Sequence, residues 1–232
     1  MPTDPDRVTH PLEGASVLIA GATGGLGSAL AAELDRRGAR LTLTGRDAAR
    51  LAALPVPGAR VTADLRTPDE CERVVAAAIA HAGRLDVVIN AVGVVAFGSV
   101  TDLSSDAMEE LFLTNTFVPI MLATAAADRI ERGGAVVNIS GIIAEQNLPG
   151  MAAYGASKAA LRSFDEALAR ELRRRKVRVL DARPPHTETG LAGRAIEGAA
   201  PYMPTGLRPE QVASTICDAL EQGLADLPSS SF

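Results

Sequence analysis

The 232-residue chain is 47% hydrophobic and 22% charged, so it can bury a sizeable core, and this composition excludes a disordered protein. Its formal charge of −5 and pI near 5.3 argue against a surface that binds nucleic acid or anionic lipid. The N-terminal residues lack a signal-peptide pattern and no stretch reaches the length of a membrane span, so we expect a cytoplasmic protein with a short tail, residues 1–11.

The first predicted strand runs from Ser16 to Ala20 and is followed at once by a glycine-rich turn, G-A-T-G-G-L-G. A helix then begins, with Leu26, Leu30 and Leu34 spaced four residues apart. Glycines let the backbone approach a pyrophosphate, and the free N–H groups of a helix N-terminus attract its charge. The pattern predicts a dinucleotide site, although a glycine turn without a ligand stays possible at this point.

The second predicted strand, Leu41 to Thr44, ends in Gly45-Arg46. An acidic residue near this point would bind the ribose hydroxyls of NAD, whereas an arginine can accommodate the 2′-phosphate of NADP. No carboxylate stands at the strand end, so the sequence favours NADP over NAD.

Two further strands continue the alternation. Val61 to Ala63 ends at Asp64, a candidate partner for an adenine amino group. A helix then begins at a capping Thr67 and runs to about His81. Leu85 to Ile89 is almost entirely apolar, as expected for a strand buried on both faces of a parallel sheet.

A long helical region, about Ser105 to Arg132, contains Asn115 and Pro119. Proline inside a helix usually bends it, so Asn115 could have a structural duty near that bend. The same alternation then continues with the strand Ala135 to Ile139, the helix Met151 to Arg174 and the strand Val177 to Ala182. This alternation predicts a single α/β domain, residues 12–232, built on a three-layer, doubly wound parallel sheet.

The last part of the chain contains a loop, a helix and a short tail. Residues 184–207 are rich in proline and glycine and are expected to cover a cleft. Pro209 to Gln222 is predicted to be the last helix, and Leu224 to Phe232 offers at most a stub, so the last strand should be shortened or missing.

Metal chemistry is not expected. Cys71 and Cys217 lie far apart, which predicts reduced, packed thiols, and His10, His81 and His186 form no ligand cluster.

Tyr154 and Lys158 are four residues apart and share one face of a helix if this stretch is helical. A phenol titrates near pH ~10, so it exchanges protons poorly at neutral pH unless a cation stabilises the phenolate. The pair suits acid–base chemistry, although isolated pairs of this kind also occur on solvated helix faces.

Taken together, these motifs resemble the short-chain dehydrogenase/reductase family, from about Leu12 to Gln222. The resemblance implies that Tyr154 is the general acid or base, that Lys158 lowers the pKa of Tyr154 and holds the nicotinamide ribose, and that Asn115 holds a proton-relay water. Thr189 matches a threonine that contacts the nicotinamide side of the cofactor. The cofactor site implied in this way comprises Gly21, Thr23, Gly24, Gly25, Leu26, Gly27, Arg46, Asp64, Leu65, Asn90, Ala91, Gly93, Tyr154, Lys158, Pro184, Thr187 and Thr189.

The chain departs from the family at the catalytic serine, which usually lies 13 residues before the tyrosine. That position is Gly141, and Ser140 stands one residue earlier. A one-residue offset on a strand end turns the side chain to the opposite face, unless the backbone bends at Gly141. Ser140 is therefore a candidate catalytic residue only if such a bend occurs.

The leading hypothesis is an NADP-dependent oxidoreductase that interconverts a carbonyl and an alcohol on a small, largely apolar molecule. The alternatives are a dinucleotide-binding regulatory or scaffold protein, motivated by Gly141, and a dehydratase or isomerase. A homodimer or homotetramer is expected from the family, through the helices around 105–132 and 151–174, and no nucleic-acid or membrane partner is expected. The expected substrate pocket comprises Val94, Phe97, Ile142, Ile143, Leu148, Met151, Leu191 and Met203, with His186 and Glu145 as candidate polar contacts.

Overall fold

The computed structural model describes residues 11–232, so His10 and all but the last residue of the predicted tail, 1–11, lie outside the described residues. Seven strands form one sheet in the order β3-β2-β1-β4-β5-β6-β7, and every neighbouring pair is parallel. The strands are β1 (Ser16–Ala20), β2 (Arg40–Gly45), β3 (Ala59–Thr62), β4 (Val87–Asn90), β5 (Ala135–Ile139), β6 (Arg178–Ala182) and β7 (Asp226–Leu227). The helices are α1 (Gly25–Arg36), α2 (Ala48–Ala52), α3 (Pro68–Ala82), α4 (Ser105–Phe112), α5 (Val118–Ala127), α6 (Ala152–Leu172) and α7 (Pro209–Glu221).

Helices cover both faces of the sheet, which explains why its central strands are apolar on both sides. One core packs α1 and α7 against the sheet through residues such as Leu30 and Ile216. The other packs α3, α5 and α6 against the opposite face through residues such as Val74, Leu122 and Leu168. The predicted three-layer fold with a shortened last strand is confirmed, because β7 has only two residues.

Local sequence signals explain the element boundaries. The Thr67 hydroxyl accepts the Glu70 N–H at the start of α3, and Gly83 ends that helix with a φ of 76°. Strand β4 begins later than predicted, at Val87, because the Asp86 carboxylate accepts the Ser16 N–H at 2.8 Å before the ladder begins. Cys71 and Cys217 are buried and unpaired, as expected.

The long helix after β4 differs from the sequence expectation. It breaks at a π-helical turn, Leu113–Phe117, and not at Pro119, which lies in the first turn of α5, where a missing N–H costs little. Taken across this turn, the helical stretch Ser105–Ala127 is long and apolar enough to span a bilayer, contrary to our expectation that no stretch would be. Half of its apolar window is buried against the rest of the domain, as in the core helix of a globular protein.

Candidate functional site

Two adjoining clefts open at the carboxyl edge of the sheet, where the strand order reverses between β1 and β4. We call the first the basic cleft, because its lining includes Arg46, Arg50 and Arg194. We call the second the apolar cleft, because Phe97, Ile143, Met151 and other hydrophobic side chains form most of its wall. Gly24, Ala91, Val92, Gly93, Leu191 and Arg194 line both clefts and so form their common boundary.

The glycine turn between β1 and α1 leaves the backbone exposed to the clefts. Gly21 has a φ of 78°, and a Cβ there would lie 2.9 Å from the backbone of Ala91. A Cβ on Gly27 would lie 2.2 Å from the Gly21 carbonyl oxygen, so only glycine lets the helix pack this close to the turn. Helix α1 has no side-chain cap and no acid in its first turn, and its N-terminal donors therefore fit a phosphate.

The charges of the basic cleft also fit an anion. Among residues 11–232, Arg46, Arg50 and Arg194 have no carboxylate within ion-pair distance, and the Arg50 guanidinium donates to the Thr23 carbonyl at 2.6 Å. Asp64 is paired with Arg66 at 2.8 Å, and this hydrogen-bonded partner lowers the pKa of the carboxyl. The sequence analysis missed Arg50, although its signal was present as a second arginine one helical turn after Arg46.

Most residues expected to bind the cofactor do line the two clefts. Gly27 and Asn90 do not: Gly27 packs α1 against the turn, and Asn90 is buried, where it donates to Asn138 at 3.4 Å and accepts the Val92 N–H at 3.3 Å. The residues that line a cleft as expected are Gly21, Thr23, Gly24, Gly25, Leu26, Arg46, Asp64, Leu65, Ala91, Gly93, Tyr154, Lys158, Pro184, Thr187 and Thr189.

Tyr154 and Lys158 lie on successive turns of α6 and both line the apolar cleft. Lys158 is buried, and its ammonium donates to the Ile139 carbonyl at 2.7 Å. Burial lowers the pKa of Lys158 to about 8, while the charges of Asp181 and Asp165 oppose the shift. Burial also raises the pKa of Tyr154 to about 12, opposite to the direction expected from the resemblance, because desolvation of the phenolate dominates.

Asn115 lies in the π-helical turn and is fully buried. Its side-chain oxygen accepts the Val94 N–H, and its nitrogen donates to the Val94 carbonyl, both at 2.9 Å. The same nitrogen donates to the Ser157 hydroxyl at 3.1 Å. Asn115 therefore braces the segment after β4 against α6, which is the structural duty that the helix break suggested.

Ser140 and Gly141 directly follow strand β5 and lie in the wall of the apolar cleft. The Ser140 hydroxyl is fully buried and donates to Asp181, so it already has an acceptor within the protein, and its catalytic role stays a prediction. Gly141 has a φ of 78°, so the backbone does bend directly after Ser140. A Cβ on Gly141 would have only the Pro184 carbonyl oxygen, at 3.8 Å, within 4 Å.

A buried arginine explains where Ser140 is held. Arg183 is 4% exposed and pairs with Asp181, with Glu145 and, at 2.7 Å, with Asp226 of β7. Glu145 was expected to face the substrate, but it bonds Arg183 and accepts the Ser229 hydroxyl at 2.7 Å. The short last strand thus joins an ion network behind the cleft, which the sequence analysis did not find.

Most of the residues expected to form the substrate pocket line the apolar cleft. Phe97, Ile142, Ile143, Leu148, Met151, Leu191 and Met203 line the apolar cleft, and His186 lies among them with its Nε2 atom 3.4 Å from Glu188. Val94 is an exception, because it lines the basic cleft.

The loop expected to cover a cleft does lie across the boundary. A Cβ on Gly25 would lie 2.7 Å from Thr189, so this loop contacts the glycine turn directly. A bridge between Ala96 and Glu197 ties the loop to the segment after β4. The loop therefore contributes to both clefts at once, chiefly through Leu191 and Arg194.

Comparison with known proteins agrees with this architecture. Residues 15–199 match the family model described as short chain dehydrogenase. The chain is 30% identical to an uncharacterized oxidoreductase of Methylorubrum extorquens, over 88% of this chain and 90% of that protein. It is 32% identical to dehydrogenase/reductase SDR family member 7B of Bos taurus, over 95% of this chain and 75% of that protein.

A solved structure with a similar fold is a putative dehydrogenase from Burkholderia cenocepacia with bound NADP. Its TM-score to this chain is 0.83, at 27% identity, and the match covers 95% of this chain and 94% of that chain.

Proposed function

The chain belongs to the short-chain dehydrogenase family of oxidoreductases, and from this premise we propose that it uses NADP(H) to interconvert a carbonyl and an alcohol on a small, largely apolar substrate. The observation that carries the proposal is the junction of the two clefts. Tyr154 and Lys158 line the apolar cleft where it meets a basic cleft suited to a phosphorylated dinucleotide.

The basic cleft would hold the dinucleotide. The N-terminus of α1 and the glycine turn suit the pyrophosphate, and Arg46 and Arg50 suit a 2′-phosphate. The structure from Burkholderia cenocepacia with bound NADP supports this assignment by its similarity. When bound, NADPH supplies a hydride and NADP⁺ accepts one.

Residues of the apolar cleft would donate the proton that the carbonyl oxygen gains on reduction. The Tyr154 hydroxyl has no protein partner within residues 11–232, so it is free to donate to a carbonyl oxygen. Burial raises the pKa of Tyr154 to about 12, so the hydroxyl carries its proton at neutral pH, as an acid in the reduction direction must, and a nearby cation is needed to ease the release of that proton. Lys158 would place a positive charge beside the oxygen that becomes anionic as the proton leaves.

The first test measures the equilibrium binding of NADPH and NADH to the wild type and to Arg46→Ala by calorimetry. We expect the Kd for NADPH to rise about tenfold in the variant, with little change for NADH, because only NADPH carries the 2′-phosphate. Arg170→Ala is the matched control, since Arg170 is exposed on α6 and lines neither cleft. Equal weakening of both cofactors would contradict the role given to Arg46.

The second test is NADPH consumption with a panel of ketones and aldehydes. We expect turnover that falls by about 10²–10⁴ in Tyr154→Phe, while the Kd for NADPH stays unchanged. Turnover that survives this substitution would remove Tyr154 as the acid.

A second candidate is a dinucleotide-binding regulatory or scaffold protein, and Gly141 together with the Ser140–Asp181 bond favours it. It predicts tight NADPH binding with no Tyr154-dependent turnover across the same panel. Product formation without net cofactor oxidation would favour the third possibility, a dehydratase or isomerase.

We also propose that the protein assembles as a homodimer or homotetramer through α4, α5 and α6. Phe117 supports this, because it is 53% exposed at the turn between α4 and α5. Light scattering of the wild type and of Phe117→Glu tests the proposal, and an unchanged mass would place the contact elsewhere.

A further inference from the structure

The apolar cleft offers few hydrogen-bond donors to a carbonyl oxygen. Reduction makes that oxygen anionic, and losing one well-placed donor typically costs about 10²–10³ in rate. Tyr154 can supply one donor. The other polar side chains in the wall are Ser140, Lys158, His186, Thr187, Thr189 and Arg194.

The backbone and side chains around Gly141 are already committed. The Gly141 N–H donates to the Ala182 carbonyl at 3.2 Å, and the Ile142 N–H donates to the Pro184 carbonyl at 3.0 Å. The Ser140 hydroxyl donates to Asp181. Beside Gly141 there is open space, and these three neighbouring donors are directed to acceptors of the protein.

Three of the remaining side chains also have acceptors within the protein. Lys158 donates to Ile139 and Thr187 to Pro185, at 2.7 and 2.8 Å, and Arg194 donates to the Thr189 carbonyl at 3.3 Å. The Thr189 hydroxyl accepts the Leu191 N–H at 3.3 Å, and His186 lies beside Glu188. Lys158 and Arg194 keep further N–H groups, which the proposed function directs to the nicotinamide ribose and the phosphates. His186 and Thr189 are then the side chains that could compete for the role of second donor.

We propose that the substrate brings the second donor itself: it is a ketone whose hydroxyl group, two carbons from the carbonyl carbon, hydrogen-bonds the carbonyl oxygen. An ortho-hydroxyaryl ketone or the enol of a 1,3-diketone has this arrangement. This proposal rests on the proposed oxidoreductase function. It assigns the open space beside Gly141 to the hydroxyl of the substrate.

The apolar wall favours the same class of substrate. An unpaired hydroxyl in an apolar cavity costs free energy, whereas a hydroxyl bonded within its own molecule keeps its partner when water is removed. The cleft has a volume of about 280 Å³, which suits one small ring system between Phe97, Met151 and Met203.

The reaction balances with one proton from solvent, which restores the Tyr154 hydroxyl after Tyr154 has donated. The hydride from NADPH adds to the carbonyl carbon as the C=O π bond breaks, and the proton of Tyr154 goes to the oxygen. NADPH becomes NADP⁺ and the ketone becomes an alcohol. The hydroxyl of the substrate keeps its proton and stabilises the developing charge.

The test compares 2′-hydroxyacetophenone with 4′-hydroxyacetophenone and acetophenone. Both hydroxy isomers donate electrons to the carbonyl through the ring, so the 4′-isomer controls for that effect. We expect kcat/KM for the 2′-isomer to exceed that of the 4′-isomer at least tenfold. The gain should be in kcat, because the hydrogen bond strengthens as the oxygen becomes anionic.

Two variants test whether the second hydrogen bond comes from the hydroxyl of the substrate or from a side chain of the protein. His186→Phe and Thr189→Val should leave the ratio between the two isomers unchanged. A ratio that rises at least tenfold in either variant would show that the protein supplies the second donor in the wild type, and the proposal would be wrong.

The outcomes also separate this proposal from the proposed function. Tyr154-dependent reduction of all three ketones with similar kcat/KM would overturn the substrate proposal and leave the oxidoreductase standing. No reduction of any of them or of a 1,3-diketone, with NADPH bound, would overturn the substrate proposal, and the broad carbonyl panel would then decide the function.

Discussion

The two clefts are built in different ways from one sheet edge. The basic cleft lies over β1, β2 and β3, and short segments directly after those strands supply most of its lining. The apolar cleft lies over β5 and β6, and its wall comes largely from the longer segments 141–151 and 184–203. Recognition in the first cleft depends on backbone and exposed charge, and in the second on the packing of distant side chains.

The charged side chains of the two clefts also differ in their burial and pairing. Arg46 and Arg50 are exposed and form no close ion pair within residues 11–232, although the charge of Arg46 contributes to the lowered pKa of Asp64. At the apolar cleft, Lys158 is buried in the wall and is influenced by the charges of Asp181 and Asp165. Arg183, buried behind the wall, pairs with the same Asp181. Changes in the basic cleft should therefore alter affinity, whereas changes behind the apolar cleft should alter stability.

The largest effect is expected from Arg183→Ala. This change leaves the carboxylates of Asp181 and Glu145 without their cation, and removing one partner of a buried ion pair typically costs about 3–5 kcal/mol. Thermal unfolding should show a fall in Tm of roughly 6–20 °C at about 2–4 °C per kcal/mol.

Arg173→Ala is the control for that experiment, because Arg173 is exposed and has no ion-pair partner among residues 11–232. The folded fraction of Arg183→Ala should still bind NADPH normally. A variant that keeps its Tm but loses NADPH binding would break the distinction between the two clefts.

The next effect concerns Gly141→Ser, which restores the serine expected from the family. Gly141 has φ 78° and ψ 164°, a conformation that is essentially restricted to glycine and costs other residues about 1–3 kcal/mol. We expect a lower Tm and no gain in kcat, because relief of the strain would move the new hydroxyl.

Gly193→Ser is the matched control, since Gly193 is exposed and a Cβ there would have no atom within 4 Å. A tenfold gain in kcat without loss of Tm in Gly141→Ser would show that the chain tolerates the family's serine. The apolar cleft of the wild type would then lack only the serine side chain, because the backbone at position 141 could hold a serine.

The basic cleft was largely predictable because its signals are local. The glycine turn follows β1 directly, and Arg46 follows β2 directly, so position in the sequence already implies position at the sheet edge. Strand β5, Ala135–Ile139, agrees with the predicted range for a similar reason, since glycines precede it and an apolar run defines it.

The apolar cleft was predictable only in part, because its details depend on residues that are distant in sequence. The partner of Ser140 depends on the register of β5 and β6, which pairs Asn138 with Asp181. Arg183 reaches Asp226 only because the two-residue strand β7 pairs with β6. The π-helical turn that places Asn115 has no residue signal that we recognise.

A smaller effect is expected in the pH dependence of stability. Burial raises the pKa of Asp165 to about 8, although the Asn138 amide, which donates to the carboxylate at 2.5 Å, opposes this shift. Its Oδ2 atom has no hydrogen-bond partner among residues 11–232. The folded state then holds a proton that the unfolded state releases above pH ~4. This contribution to stability is complete below the unfolded pKa and is lost as pH rises through about 8.

Denaturant unfolding between pH 5 and 8 tests this directly. For the wild type, Asp165 should lower the free energy of unfolding by at most about 1.4 kcal/mol per pH unit, and Asp165→Asn should remove this slope. Lys158 acts in the opposite direction only above about pH 8, because its lowered pKa is about 8. Glu166→Gln is the control, as its carboxylate is 62% exposed, and an equal change in slope there would contradict the assignment.

The smallest effect is expected from Arg194→Gln, at the boundary of the two clefts. Arg194 is exposed, lines both clefts and donates to Thr189, which contacts the glycine turn. We therefore expect Arg194 to interact with the pyrophosphate of a bound dinucleotide, and not with the 2′-phosphate. An exposed charge pair is worth about 0.5–1 kcal/mol, so NADPH and NADH should each bind about 2- to 5-fold more weakly. Arg208→Gln is the control from the same part of the chain, since Arg208 lines neither cleft. A loss of affinity confined to NADPH would place Arg194 with Arg46 at the 2′-phosphate. The covering loop would then help the protein to select NADPH over NADH.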